Sequence, residues 1–157
     1  MLDYNVVLAA VPNGPMKDDL INYHKDSYHF DYNNINCHIK RNLFFSWCGY
    51  VSLPELLQGN LDCDELDVHG GITFGNGTSI GFDMAHWDDS NPSDFILMPS
   101  MANLPNKKYW NFQDAKNETL KLAKQIYELS TTVNNEELTV ENEKQLIVDD
   151  EEFIVEI

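Results

Sequence analysis

Ile72-Thr73-Phe74-Gly75-Asn76-Gly77-Thr78-Ser79-Ile80-Gly81-Phe82 sets an Asn-Gly pair between two hydrophobic runs. Asn-Gly so flanked is the strongest short-range hairpin signal, because tight hairpin turns need residues that tolerate positive φ. The stretch predicts two paired strands, Asp67–Phe74 and Thr78–His86. Upstream, Leu43–Leu53 (LFFSWCGYVSL) is dense in aromatic and β-branched residues and reads as a central, mostly buried strand. Cys37–Lys40 reads as a shorter strand before it. Downstream, Asn106–Leu129 carries Tyr109, Phe112, Leu120, Ala123, Ile126, Tyr127 and Leu129 at helical spacing, the signature of one long amphipathic helix. Glu118 is placed to pair with Lys121 on its solvated face. The predicted class is α+β: a single domain, 1–157, with an antiparallel sheet and one long helix packed on one face.

The flanking segments are read by the same rules. Tyr4–Val11 is apolar, rich in β-branched residues and stopped by Pro12-Asn13-Gly14-Pro15, which predicts a first strand and a turn. Met16–Tyr28 predicts a short helix with Asp18 and Asp19 in its first turn. Asn33, Asn34 and Asn36 predict a loop, Pro54–Leu57 a single helical turn, and Asp88–Asp94 a loop. Past Ser130, the segments Glu137–Val140, Lys144–Val148 and Phe153–Ile157 predict short strands separated by an acidic rim. The core is expected within about residues 4–129, with 130–157 as an acidic C-terminal extension.

Charge is distributed in blocks. From Asn42 to Asn106 there is no Lys or Arg in 65 residues, and nine Asp or Glu; Asn134–Ile157 holds nine acids and one lysine. These two blocks carry −9 and −8, and the other segments nearly cancel, in a net charge of −16. Such a field repels nucleic acid and anionic membranes and steers cationic partners inward. The expected partner is a basic protein surface, and Asp62, Asp64, Glu65 and Asp67 in the first block, with Asp149, Asp150, Glu151 and Glu152 in the second, are the candidate contacts. Trp87 and Trp110 are candidate aromatic anchors. With 43% hydrophobic residues the chain has the material for a core, and no window approaches a membrane span. Met1-Leu2-Asp3-Tyr4 lacks the positive n-region of a signal peptide, and Cys37, Cys48 and Cys63 make no metal or disulfide spacing. A cytoplasmic setting with reduced thiols is expected.

The richest local chemistry lies in His69-Gly70-Gly71 and in Asp83-Met84-Ala85-His86-Trp87-Asp88-Asp89. If the hairpin forms, His69 and His86 lie at its far end, and two imidazoles with Asp83 and Asp88 nearby are a ligand set that zinc, manganese or iron accepts. Asp83 and His86 are three apart, however, so a straight strand points them to opposite faces. The alternative is structural: Gly70-Gly71 make a tight bend while Asp83 and His86 satisfy each other or the backbone. No cofactor is expected on that reading. The glycines match no phosphate-binding fingerprint, and no nucleophile elbow is present.

In order, Trp47-Cys48-Gly49-Tyr50-Val51, His69-Gly70-Gly71-Ile72-Thr73-Phe74 and Gly81-Phe82-Asp83-Met84-Ala85-His86 resemble a family of small phage and prophage proteins of unassigned function. The helix that follows, with Tyr109, Glu118 and Leu122-Ala123-Lys124-Gln125-Ile126, is similar too. The resemblance spans about residues 37–128 and implies a phage or mobile-element origin with an accessory role inside the host cell. It transfers no catalytic residue. Combined with the charge blocks, it leads to the expectation of an anti-CRISPR-like or anti-restriction inhibitor. Such a protein would bind the basic surface of a host defence nuclease without binding nucleic acid itself. The alternative is a small-nucleotide- or metal-binding protein, or a hydrolase, using His69, Asp83 and His86.

Overall fold

The Asn76-Gly77 turn is present. The computed structural model describes residues 2–155, with side chains as far as Lys144. β4 (Phe74–Gly75) pairs antiparallel with β5 (Ser79–Asp83), Phe74 opposite Gly81 and Gly75 opposite Ile80. Gly77 sits at φ 89°, and Asn76 Oδ1 accepts from the backbone N–H of Thr78 (3.1 Å) and Ser79 (2.8 Å), so the asparagine closes the turn. Most of the strand expected over Asp67–Phe74 does not form. Gly70 and Gly71 take φ of 69° and 78°, and neighbouring backbone groups are claimed by the helix instead of by a strand. Gln125 accepts from Asp67 N–H at 2.8 Å and Glu118 from His69 N–H at 2.9 Å.

Five strands run in the order β1-β2-β3-β5-β4, antiparallel throughout. β1 (Tyr28–Tyr32) and β2 (Ile35–Arg41) flank β3 (Trp47–Ser52) on one side and β5 on the other. β1 starts at Tyr28, where a helix was expected to end, and fills residues 29–32, which sequence pattern left without an element; its Tyr28, Phe30 and Tyr32 alternate toward the core. β3 is shorter than Leu43–Leu53 because Asn42 Oδ1 accepts from the N–H of Phe44 and Ser46 and turns the chain, leaving Leu43 and Phe44 exposed.

α4 (Phe112–Val155) lies across the sheet. Phe112, Ala115, Leu122, Ala123 and Ile126 pack with Trp47, Val51, Ile39, Cys37, Ile80 and Phe82 in the main core. The helix begins six residues later than periodicity indicated. Asn111 and Asp114 exchange hydrogen bonds (Asn111 N–H to Asp114, 3.0 Å; Asp114 N–H to Asn111, 2.9 Å), a reciprocal cap that sets the start. It also runs on through the positions where strands were expected at Glu137–Val140 and Lys144–Val148. A helix satisfies its own backbone there, where strands would need a partner edge, and its residues 134–144 are exposed. α4 also takes in residues 153–155, where the terminal strand Phe153–Ile157 was expected to begin; Glu156 and Ile157 lie outside the described residues.

The N-terminal segment is also a correction. Tyr4–Ala10 is a helix, α1, capped by Asp3 accepting from Asn5 N–H at 2.8 Å. Its buried Val7 and the buried Val11 that caps its end are four apart, a helical period that overrides β-branched content. α2 (Pro15–Asn22) follows, with Pro15 at its first turn, and α3 (Asp94–Leu97) joins the two in a second apolar cluster around Leu20, Phe45, Phe95 and Ile96. Asp19 is not a solvated first-turn acid. It is 6% exposed and accepts from Arg41 (3.2 Å), Trp47 Nε1 (2.8 Å), Tyr109 and the first N–H of α4 at Phe112 (3.1 Å). One carboxylate thus joins α2, β2, β3 and the start of α4.

All three cysteines are free, and burial pushes the thiols of Cys37 and Cys48 up to about 11. Cys63 is only partly buried. In native protein at about pH 8, iodoacetamide is expected to modify Cys63 first, with Cys37 and Cys48 labelled only after unfolding. Equal labelling of all three by intact-mass analysis would contradict the described core.

Candidate functional site

β5 ends at Asp83, whose carboxylate accepts from Ala85 N–H (3.0 Å) and Thr73 Oγ1 (2.8 Å). Asp83 pairs in register with Cys48 and lies on the sheet face away from α4. It therefore belongs to no cluster with the histidines, and the ligand set read from the sequence is corrected here. After Met84 the chain turns over His86–Asp89, closed by Asp89 N–H to His86 O at 2.9 Å. That turn carries His86 back toward His69, so the two imidazoles meet edge to face with ring centres 5.1 Å apart. The carboxylate between them is Asp89, which is 2% exposed; its neighbour Asp88 is exposed.

Asp89 is the centre of this network. His69 Nε2 lies 2.9 Å from its Oδ2, His86 Nδ1 3.1 Å and His86 N–H 2.9 Å from the same oxygen, while Trp110 Nε1 donates to Oδ1 at 2.7 Å. Burial raises the Asp89 carboxyl, but the hydrogen bonds from His69 and His86 outweigh it and hold the group below its ordinary value. His69 is anchored from α4 through Glu118, which also pairs with Lys121 at 3.7 Å. Gly70 is required twice over: its φ is 69°, and a Cβ there would stand 2.0 Å from His86 Cε1.

The candidate contacts of the first acidic block gather around two 3₁₀ turns, Glu55–Leu57 and Cys63–Glu65. Asp62, Asp64, Glu65 and Asp67 are all exposed. Asp62 caps the second turn through Asp64 N–H (3.0 Å), and Asp67 pairs with Lys121 at 3.2 Å. Between these turns and α4 lies a cleft of about 430 Å³, with Leu57, Leu61, Leu66, Leu129 and Val133 as its apolar lining and Asp62, Glu65 and Glu128 as acids. Asp64 and Asp67 lie outside it. Asp149, Asp150, Glu151 and Glu152 fall in the part of α4 whose side chains lie outside the described residues.

Trp87 is 79% exposed, whereas Trp110 is half-buried, holds Asp89 and lies under Lys108 Nζ at 3.8 Å from its ring centre. Only the first is free as an anchor. The sequence pattern missed Asp89 and Trp110 as partners of the histidines. The one available signal was the His-x-x-Asp spacing of 86–89, which suits a turn better than a strand. Among the described residues no helix is long and apolar enough to cross a membrane. Compared with known proteins, the chain matches no protein-family model, no curated protein and no solved structure.

Proposed function

We propose that the chain is an inhibitor of phage or mobile-element origin that acts inside the host cell by binding a basic, nucleic-acid-handling surface of a defence nuclease. The observation that carries this reading is the acid-lined apolar cleft between the 3₁₀ turns and α4. An apolar floor supplies area to desolvate, and surrounding carboxylates orient a partner element that presents Lys and Arg beside apolar side chains. Glu136, Glu137, Glu141 and Glu143 extend the negative field along the exposed part of α4. The net charge of −16 then accelerates encounter with a cationic surface, and the same lysines and arginines are withheld from phosphates.

The test is capture from a host lysate on immobilised protein, followed by cleavage assays with the captured nuclease. Association is expected to slow by about tenfold between low and physiological salt, because steering is screened over about 8 Å at 0.15 M. Neutralising Asp62, Glu65 and Glu128 to Asn and Gln is expected to slow association several-fold and weaken inhibition, with the melting temperature unchanged. A second set at Asp149, Asp150, Glu151 and Glu152 separates the two acidic blocks. Salt-independent association unaffected by both sets would eliminate the charge-based mechanism.

A further inference from the structure

We propose that His69, His86 and Asp89 bind one divalent first-row transition ion, with Zn²⁺ as the reference occupant. This goes beyond partner docking, and the residues that build the site are not among those lining the acid-lined cleft. It also departs from the expectation of no cofactor, because Asp89 rather than Asp83 supplies the carboxylate.

One ligand atom from each residue lies within 4.8 Å of the others. Nε2 of His69 and Nδ1 of His86 stand 2.9 and 3.1 Å from the same Oδ2 of Asp89. Around an ion bonded at about 2.0–2.1 Å in tetrahedral geometry, neighbouring ligand atoms are roughly 3.3 Å apart. Two imidazoles and one carboxylate are a set that zinc and iron(II) both accept. Three nitrogens crowd around Oδ2, the His86 backbone N–H, His86 Nδ1 and His69 Nε2, the last also 3.1 Å from Oδ1. A carboxylate oxygen offers about two lone-pair positions. With an ion bound, both imidazole nitrogens direct lone pairs at it, their protons reside on His69 Nδ1 and His86 Nε2, and Oδ2 keeps the backbone donor.

The surroundings are those of an oriented metal site. Trp110 Nε1 holds the other oxygen of Asp89 at 2.7 Å, and Glu118 fixes the backbone of His69. Such outer partners set ligand orientation and tune affinity. His69 and His86 retain 17% and 28% exposure beside a buried Asp89, so an ion has a route in. Three protein ligands leave at least one position for water, the arrangement of metal centres that act on a substrate.

The experiment titrates chelator-stripped full-length chain with Zn²⁺ by calorimetry and with Co²⁺ by visible absorption. One equivalent is expected to bind, with visible bands typical of nitrogen and oxygen ligation, and the melting temperature is expected to rise with ion concentration. His69→Gln and His86→Gln are expected to weaken binding at least about 100-fold, and Trp110→Phe, an outer partner, about tenfold. Absence of saturable Zn²⁺ or Co²⁺ uptake by the unmodified chain overturns the site, as does uptake undiminished in both histidine variants. Uptake that excess Mg²⁺ abolishes belongs to the surface carboxylates and overturns it equally. If a variant fails to fold, the cobalt spectrum of the unmodified chain decides: weak octahedral bands reject the proposal, and intense bands displaced by Zn²⁺ support it.

Discussion

Asp19→Ala is expected to lower the unfolding free energy by about 3–5 kcal/mol, measured as a shift in the urea midpoint at unchanged slope. The carboxylate is buried and its partner Arg41 is only 10% exposed, with its guanidinium 3.9 Å from the Trp47 ring centre. Removing the acid strands a positive charge in a site that water reaches poorly, which costs more than the lost pair itself. It also leaves the Trp47 indole N–H and the first N–H of α4 without their acceptor. Burial pushes the Tyr109 phenol above its ordinary value, so that group stays a neutral donor and does not replace the missing charge. The double variant Asp19→Ala, Arg41→Met is expected to recover part of the loss, because no unpaired charge remains. Asp18→Ala next door, at an exposed position, is expected to change stability by no more than about 0.5 kcal/mol. A loss below about 1 kcal/mol for Asp19→Ala would show that the carboxylate does not organise the start of α4.

Gly49→Val is expected to destabilise by about 3 kcal/mol, through overpacking of the seam between β3 and α4. A Cβ at this position would stand 2.1 Å from Thr119 Oγ1 and 2.6 Å from Phe82 Cε1. Thr119 is fully buried and bonded to Ala115 O at 2.7 Å, so it has nowhere to swing. The helix must shift outward or β3 must bend, and either movement opens gaps around Trp47 and Ile126. Adding Thr119→Ala removes the nearest atom and is expected to restore part of the loss, with a coupling above about 0.5 kcal/mol between the two sites. Strict additivity would mean that the helix does not close on this glycine.

The prediction of an antiparallel sheet with one long helix on a face rested on features that local chemistry controls. The Asn76-Gly77 turn holds because its side chain and its positive φ belong to those two residues. β3 lies inside the run Leu43–Leu53, whose side chains suit a buried sheet, while β2 extends the expected Cys37–Lys40 at both ends and takes in Asn36, which the pattern assigned to a loop. Asp83 and His86 do part company, but because β5 ends at Asp83 and a turn carries His86 away, not through strand register; what lay beyond sequence pattern was the acid that meets the histidines. Asp89 does so because a turn after β5 and a loop tied to α4 by Glu118 and Gln125 converge from opposite directions.

The chain's own pattern thus determined its class, its central strands, its hairpin and its acidic surface, since each depends on side chains acting within a few residues of themselves. Tertiary structure decided the rest. Tyr4–Ala10 has the composition of a strand and the spacing of a helix, and the apolar pocket formed with Leu20, Phe45 and Phe95 selects the helix. Asp19 and Asp89 look like two more surface acids among 26. They are buried because donors from β2, β3 and the start of α4 converge on Asp19, and donors around His69, His86 and Trp110 on Asp89, and only the folded chain brings those donors to one point.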